Sequence, residues 1–178
     1  MSVNIPFSKL EEGIQKSLGN AGRYLEDALF LYRNKRYQSS ILLSMLSYEE
    51  SGKTMMLVDY RDKEKEITKT QWTKKFCSHT MKNLTSLRAI WQKAGMTSRI
   101  PDQDLYMSKF KQDWKDVFTY VDYDYENLKW TSPLSPESFF YYFSATSVRS
   151  FCTSAMSQAG EALELAIKKA EKLSEKDQ

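Results

Sequence analysis

The chain has 178 residues, 41% of them apolar and 28% charged, and a net charge of +3. That length suits one domain with a sizeable core, and eleven Tyr and nine Phe argue against disorder over most of it. Two cysteines, Cys77 and Cys152, are too few for a disulfide framework and read as packed, reduced thiols. No run of about 18 apolar residues is present to span a bilayer, and Met1 to Leu10 carries no secretory signature. A cytoplasmic protein with no membrane partner is expected.

Ser8-Lys9-Leu10-Glu11 has the form of a capping box. The helix it opens carries Leu10, Ile14, Leu18, Ala21, Leu25, Ala28, Leu29 and Tyr32 at helical spacing, with Gly19 and Gly22 inviting a break near Asn20. Asn34-Lys35-Arg36 reads as a turn. A second helix is expected from about Tyr37 to Tyr60, striped by Ile41, Leu42, Met45, Leu46, Met56 and Leu57, with a mixed-charge linker at Arg61 to Glu66. A third, uninterrupted helix is expected from about Lys69 to Ala94, with Trp72, Phe76, Leu84, Leu87, Ile90 and Trp91 on one side and Gly95 as its stop. Leu105 to Phe118 looks helical, and Thr119 to Tyr123 fits an extended loop or a short strand. Ser135-Pro136-Glu137 is a helix start, and a long last helix follows with Phe140, Val148, Phe151, Cys152, Ala155, Ala159, Leu163, Ala166, Ile167 and Ala170 on one face. Gly160 is a place where it could bend. Long helices with short connections predict an all-α antiparallel bundle of about four to six helices. A single domain spans residues 1–173, and a charged tail, 174–178, frays.

Winding the second helix at roughly 100° per residue puts Glu49 in the middle of the apolar stripe and Lys53 beside Leu46. Gly52 also points inward, where it would admit another helix, and Glu50 lies at the stripe's edge. An isolated carboxylate in a core costs several kcal/mol, so a cation is expected near Glu49; Lys53, one turn on, stands in the favourable order. The single histidine, His79, falls at the margin of the third helix's buried side, with Asn83 within it and Lys82 more exposed. Pairing of the two helices would bring His79 and Asn83 to Glu49 and Lys53. A carboxylate beside an imidazole orients it, as general acid-base work requires, and the same cluster could equally serve to fix helix register.

The stretch from Ile67 to Pro101 has no Asp or Glu but carries Lys69, Lys74, Lys75, Lys82, Arg88, Lys93 and Arg99. Lys74, Lys75, Lys82 and Arg88 are the candidates for holding RNA or another anion. Asp102 to Glu126 reverses the balance, with seven acids, so two packed segments or a dimer contact are open alternatives. There is no Gly-rich phosphate loop, no Gly-x-Ser-x-Gly elbow, and too few His and Cys for a zinc site without carboxylates. No metal and no cofactor is expected.

Ser47-Tyr48-Glu49-Glu50-Ser51-Gly52-Lys53 and Phe76-Cys77-Ser78-His79-Thr80-Met81-Lys82, with Asn20-Ala21 before them and Tyr120-Val121-Asp122 after, resemble the AbiV family of abortive-infection phage-resistance proteins, within the HEPN-like helical class. The resemblance extends over roughly residues 10 to 165. It implies a cytosolic protein that blocks phage propagation, acting by binding at a step of gene expression. It also implies a phage protein as trigger, RNA as a partner and, by analogy with paired HEPN helices, a homodimer. Many HEPN proteins are metal-independent ribonucleases with an arginine and a histidine closely spaced on a late helix. Here Arg149 has no His after it, and the nearest form is Lys74 before His79, where Lys lacks the planar fork that clamps phosphate. Binding without catalysis is therefore the expectation. A ribonuclease using His79 and Glu49 is the first alternative, and an inactive dimerisation module the second.

Overall fold

The computed structural model describes residues 4–96, 122–124, 129–131 and 145–176. The fold is all-α, with α1 at Leu10–Arg33, α2 at Tyr37–Asp62, a short α3 at Lys69–Gln71, α4 at His79–Lys93 and α5 at Ala145–Lys176. Two three-residue strands, β1 (Asp122–Asp124) and β2 (Lys129–Thr131), pair antiparallel with Tyr123 opposite Trp130. Strands this short leave no alternating pattern to read, although the extended character of the segment around Asp122 was legible. The expected helix at Leu105 to Phe118 and the start at Ser135-Pro136-Glu137 lie outside the described residues.

α2 is the central element, packed against α1, α4 and α5. Its most extensive contact, with α1, is made by small side chains. Ser40 donates to the Ala28 carbonyl at 2.7 Å, Ser47 to the Ala21 carbonyl at 2.8 Å, and the Ser17 and Thr54 hydroxyls meet at 2.8 Å. Ala21 and Ala28 are fully covered, so the two backbones approach until serine hydroxyls reach across. Ser44 and Ser51 instead bond back to carbonyls of their own helix. This buried serine face was not visible as a stripe, because a hydrophobicity pattern counts Ser as polar. Of the expected apolar stripe, Ile41, Met56 and Leu57 are buried, whereas Leu42, Met45 and Leu46 are half-buried. The largest apolar cluster gathers Leu10, Ile14, Met56, Leu57, Val58, Ile67, Phe76 and Leu173 at one end of the bundle. There an isolated bridge between Ile5 and Ile67 ties the N-terminal segment to the linker after α2.

The turn at Asn34-Lys35-Arg36 holds, with Lys35 in the left-handed region at φ 59°. Gly95 likewise ends the α4 segment at φ +72°. The capping box at Ser8 does not form. A 3₁₀ turn at Phe7–Lys9 leads into α1, and its N-cap, Lys9, makes no side-chain cap hydrogen bond. A reciprocal box is found instead at Thr68 and Gln71, opening α3. α1 also runs through Asn20 without interruption, and a Cβ at Gly19 would meet nothing within 4 Å. Gly19→Ala should therefore stabilise the protein by about 0.5–1 kcal/mol through backbone entropy. A urea midpoint unchanged or lowered would refute that. α5 continues as helix to Lys176, whose ammonium meets Asp62 at 2.7 Å.

Candidate functional site

The third helix is not continuous. After α3 the chain makes a π-helical turn, Trp72–Phe76, closed by the Cys77 amide on the Trp72 carbonyl at 3.0 Å. Ser78 then turns extended, at ψ 116°, and its hydroxyl caps α4 by accepting from the Met81 amide at 3.3 Å. His79 thus becomes the first residue of α4. Wide turns of this kind are frequent at functional sites.

The His79 ring lies 2.5 Å from Glu49, with Nδ1 donating to Oε2 of the carboxylate. Lys82, one turn on along α4, places Nζ 3.5 Å from the same oxygen. Glu49 is 2% exposed, and the Lys82 side chain 8%. The imidazole, 44% exposed, forms the solvent edge of the cluster. The burial of Glu49 agrees with the helical winding. Its cation does not: Lys82, expected on the more exposed side, is buried at the point where the α4 backbone lies against Gly52 of α2, while Asn83, Leu84 and Leu87 are buried as the spacing predicts. Lys53 turns away, pairs with Glu50 at 3.4 Å and sits 5.9 Å over the Trp72 ring. Asn83 is buried, one residue beyond Lys82.

Gly52 makes this geometry attainable. A Cβ there would lie 2.0 Å from the Lys82 carbonyl oxygen and 2.8 Å from Ser86 Oγ. The two backbones touch at this point, and Ser86 donates to the Tyr48 carbonyl at 2.7 Å beside it. Burial, reinforced by the charge of Glu161, pushes the Tyr48 phenol well above its ordinary range and keeps it neutral.

The basic residues of this region differ in their surroundings. Lys74 and Arg88 are exposed, Lys75 bonds the Tyr60 hydroxyl at 3.2 Å, and Lys82 is occupied by Glu49. Of the two thiols, Cys152 is packed and its ionisation is disfavoured by burial, whereas Cys77 is exposed, contrary to the expectation that both are covered. Among the described residues, no helix is long and apolar enough to cross a membrane.

A buried carboxylate joined to a half-exposed histidine and a buried lysine, with a glycine at the helix contact, reproduces in space the two motif runs that resemble AbiV proteins. Residues 9–135 match the family model for AbiV, within HEPN. The chain belongs to the AbiV family. Comparison with curated proteins and with solved structures returns no match. Membership points to abortive-infection phage defence, and the matched residues include all of α1, α2 and α4, the elements that carry and support the cluster.

Proposed function

We propose that this AbiV protein blocks phage propagation by binding a component of gene expression, RNA or the translation machinery, after a phage protein triggers it. The family match carries the reading of defence. Binding is favoured over catalysis because the Glu49 carboxylate is engaged by both the His79 ring and the Lys82 ammonium, contacts that tie α4 to α2. The cluster thereby joins α2 to α4, and a surface built on these helices depends on it. Plating phage on cells that express the wild type or the His79→Gln variant, which leaves the buried Glu49–Lys82 pair in place, tests this. Resistance lost at unchanged protein level is expected, and full resistance from the variant would overturn it.

One observation favours a second reading, a metal-independent ribonuclease. With Nδ1 donating to a buried carboxylate, the imidazole is held in one orientation at the protein surface, as a general base requires. In that reaction His79 would take the proton of a ribose 2′-hydroxyl as its oxygen attacks phosphorus. The 5′-oxygen of the next nucleotide would leave, taking a proton from water to become a hydroxyl, and a 2′,3′-cyclic phosphate would remain. Pure protein incubated with total RNA, wild type against His79→Ala, decides it: intact RNA in both removes the ribonuclease.

A further inference from the structure

In the basic stretch legible in the sequence, Lys82 is occupied by Glu49 and Lys75 by the Tyr60 hydroxyl, and a second group of exposed cations lies at the far end of the bundle. The C-terminus of α1, the turn after it and the N-terminal part of α5 meet there. Arg149 of α5 donates through Nε to the Tyr32 hydroxyl at 3.1 Å, Thr153 lies 3.4 Å from the same hydroxyl, and the Cys152 thiol is 3.2 Å from Ser40 Oγ of α2. Arg33, Lys35, Arg36 and Arg149 are all exposed. No Asp or Glu occurs from Ala28 to Tyr48 or from Ala145 to Gly160, so these segments bring cations together with no carboxylate of their own. Exposed cations of one sign on neighbouring segments attract an anionic ligand.

Aromatic rings are interleaved with the cations. Phe30 is 65% exposed on the outer side of α1, one turn before Arg33. The Tyr32 and Tyr37 rings meet edge to face at 5.5 Å, and both are only half-buried. Cations that follow a phosphate backbone, with rings on which unpaired bases stack, are the two components of single-strand recognition.

We propose that the end of the bundle formed by Phe30, Tyr32, Arg33, Lys35, Arg36 and Arg149 is a binding surface for single-stranded RNA. The proposal names the ligand class for the function proposed above and rests on that reading for its biological use, but it is tested on the pure protein.

Binding of a fluorescent oligouridine of about 12 nucleotides, followed by anisotropy against salt, makes the test. The wild type should bind with an affinity that falls as salt rises. The triple variant Arg33→Gln/Lys35→Gln/Arg36→Gln should bind at least about tenfold more weakly, and its log-log salt slope should be shallower by about two, from roughly 0.7 per phosphate contact on a single strand. A control triple variant, Lys9→Gln/Lys63→Gln/Lys172→Gln, removes the same charge from exposed positions at the opposite end and should keep wild-type affinity. Phe30→Ala should weaken binding about fivefold with the slope unchanged. Absent binding by the wild type, or equal weakening of the two triples, would overturn the surface. Polyglutamate displacing the probe as well as unlabelled oligouridine does would assign it to an acidic protein partner instead. Duplex RNA bound equally well would overturn single-strand recognition. Phage plating reads the defence function separately: failed RNA binding with intact resistance removes this surface alone, and resistance absent from the wild type removes the defence reading.

Discussion

Glu49→Ala should destabilise the protein by about 3–5 kcal/mol, the cost of removing one partner from a buried ion pair. Lys82 is buried with its ammonium 3.5 Å from the Glu49 carboxylate. With an alanine opposite, that charge must either remain buried or drag α4 outward to reach water. His79 also loses its acceptor, but it is half-exposed and water can replace the bond, so its share is small. A loss of this size is a large fraction of the roughly 5–15 kcal/mol that holds an ordinary domain together. Urea unfolding measures it, and a change within about 0.5 kcal/mol, as at a surface site, would show that the cluster is not a buried electrostatic unit. The paired substitution Glu49→Leu/Lys82→Met removes both charges together and should be close to neutral for stability. If that variant folds and no longer protects cells from phage, the cluster has a functional use. If it folds and protects, the cluster serves the fold alone.

Gly52→Ala should be the most damaging single methyl addition among the described glycines. The new Cβ would stand 2.0 Å from a backbone oxygen of α4, and a backbone cannot rotate aside as a side chain can. α4 would have to move away from α2. Overpacking of this kind costs about 1–3 kcal/mol, against which the gain in helix propensity of up to about 1 kcal/mol is a partial offset. The same displacement would lengthen the Glu49–His79 contact. The variant should therefore lose phage resistance even where a folded fraction remains, and the histidine ring resonances should shift. A Gly52→Ala protein with wild-type stability and wild-type resistance would mean that the interhelical approach does not set the site. Gly19→Ala provides the internal contrast, since the same methyl group there meets open space.

Much of the bundle was legible because it rests on local signals. The turn at Lys35, the stop at Gly95 and the long α1 and α2 follow from helical spacing and from residues suited to left-handed backbone. The interruption between α3 and α4 was not legible. Trp72 to Phe76 has no proline or glycine, and the Ser78 cap reads equally well as a serine inside a helix. Beyond the break Asn83, Leu84 and Leu87 still face inward as helical spacing predicts, but Lys82 does not face outward, and the pairing of Lys53 with Glu50 rather than Glu49 is decided on α2 itself. The α1–α2 contact was hidden for a different reason. It is made by Ser17, Ser40, Ser47 and Thr54, whose hydroxyls satisfy one another or a carbonyl across the contact. Polar residues that complete their own hydrogen bonds can be buried without an apolar signature.

By itself the sequence determined that the protein is helical, that its motifs are those of the AbiV family, and that Glu49 lies inward, since these depend on residue type and spacing within one helix. Only the tertiary structure decided which cations meet Glu49, which lysines remain outside, and where positive charge collects. A side chain's neighbours on other helices depend on the rotation and approach of those helices. Here both were set by a π turn, a serine cap and the absence of a single Cβ at Gly52.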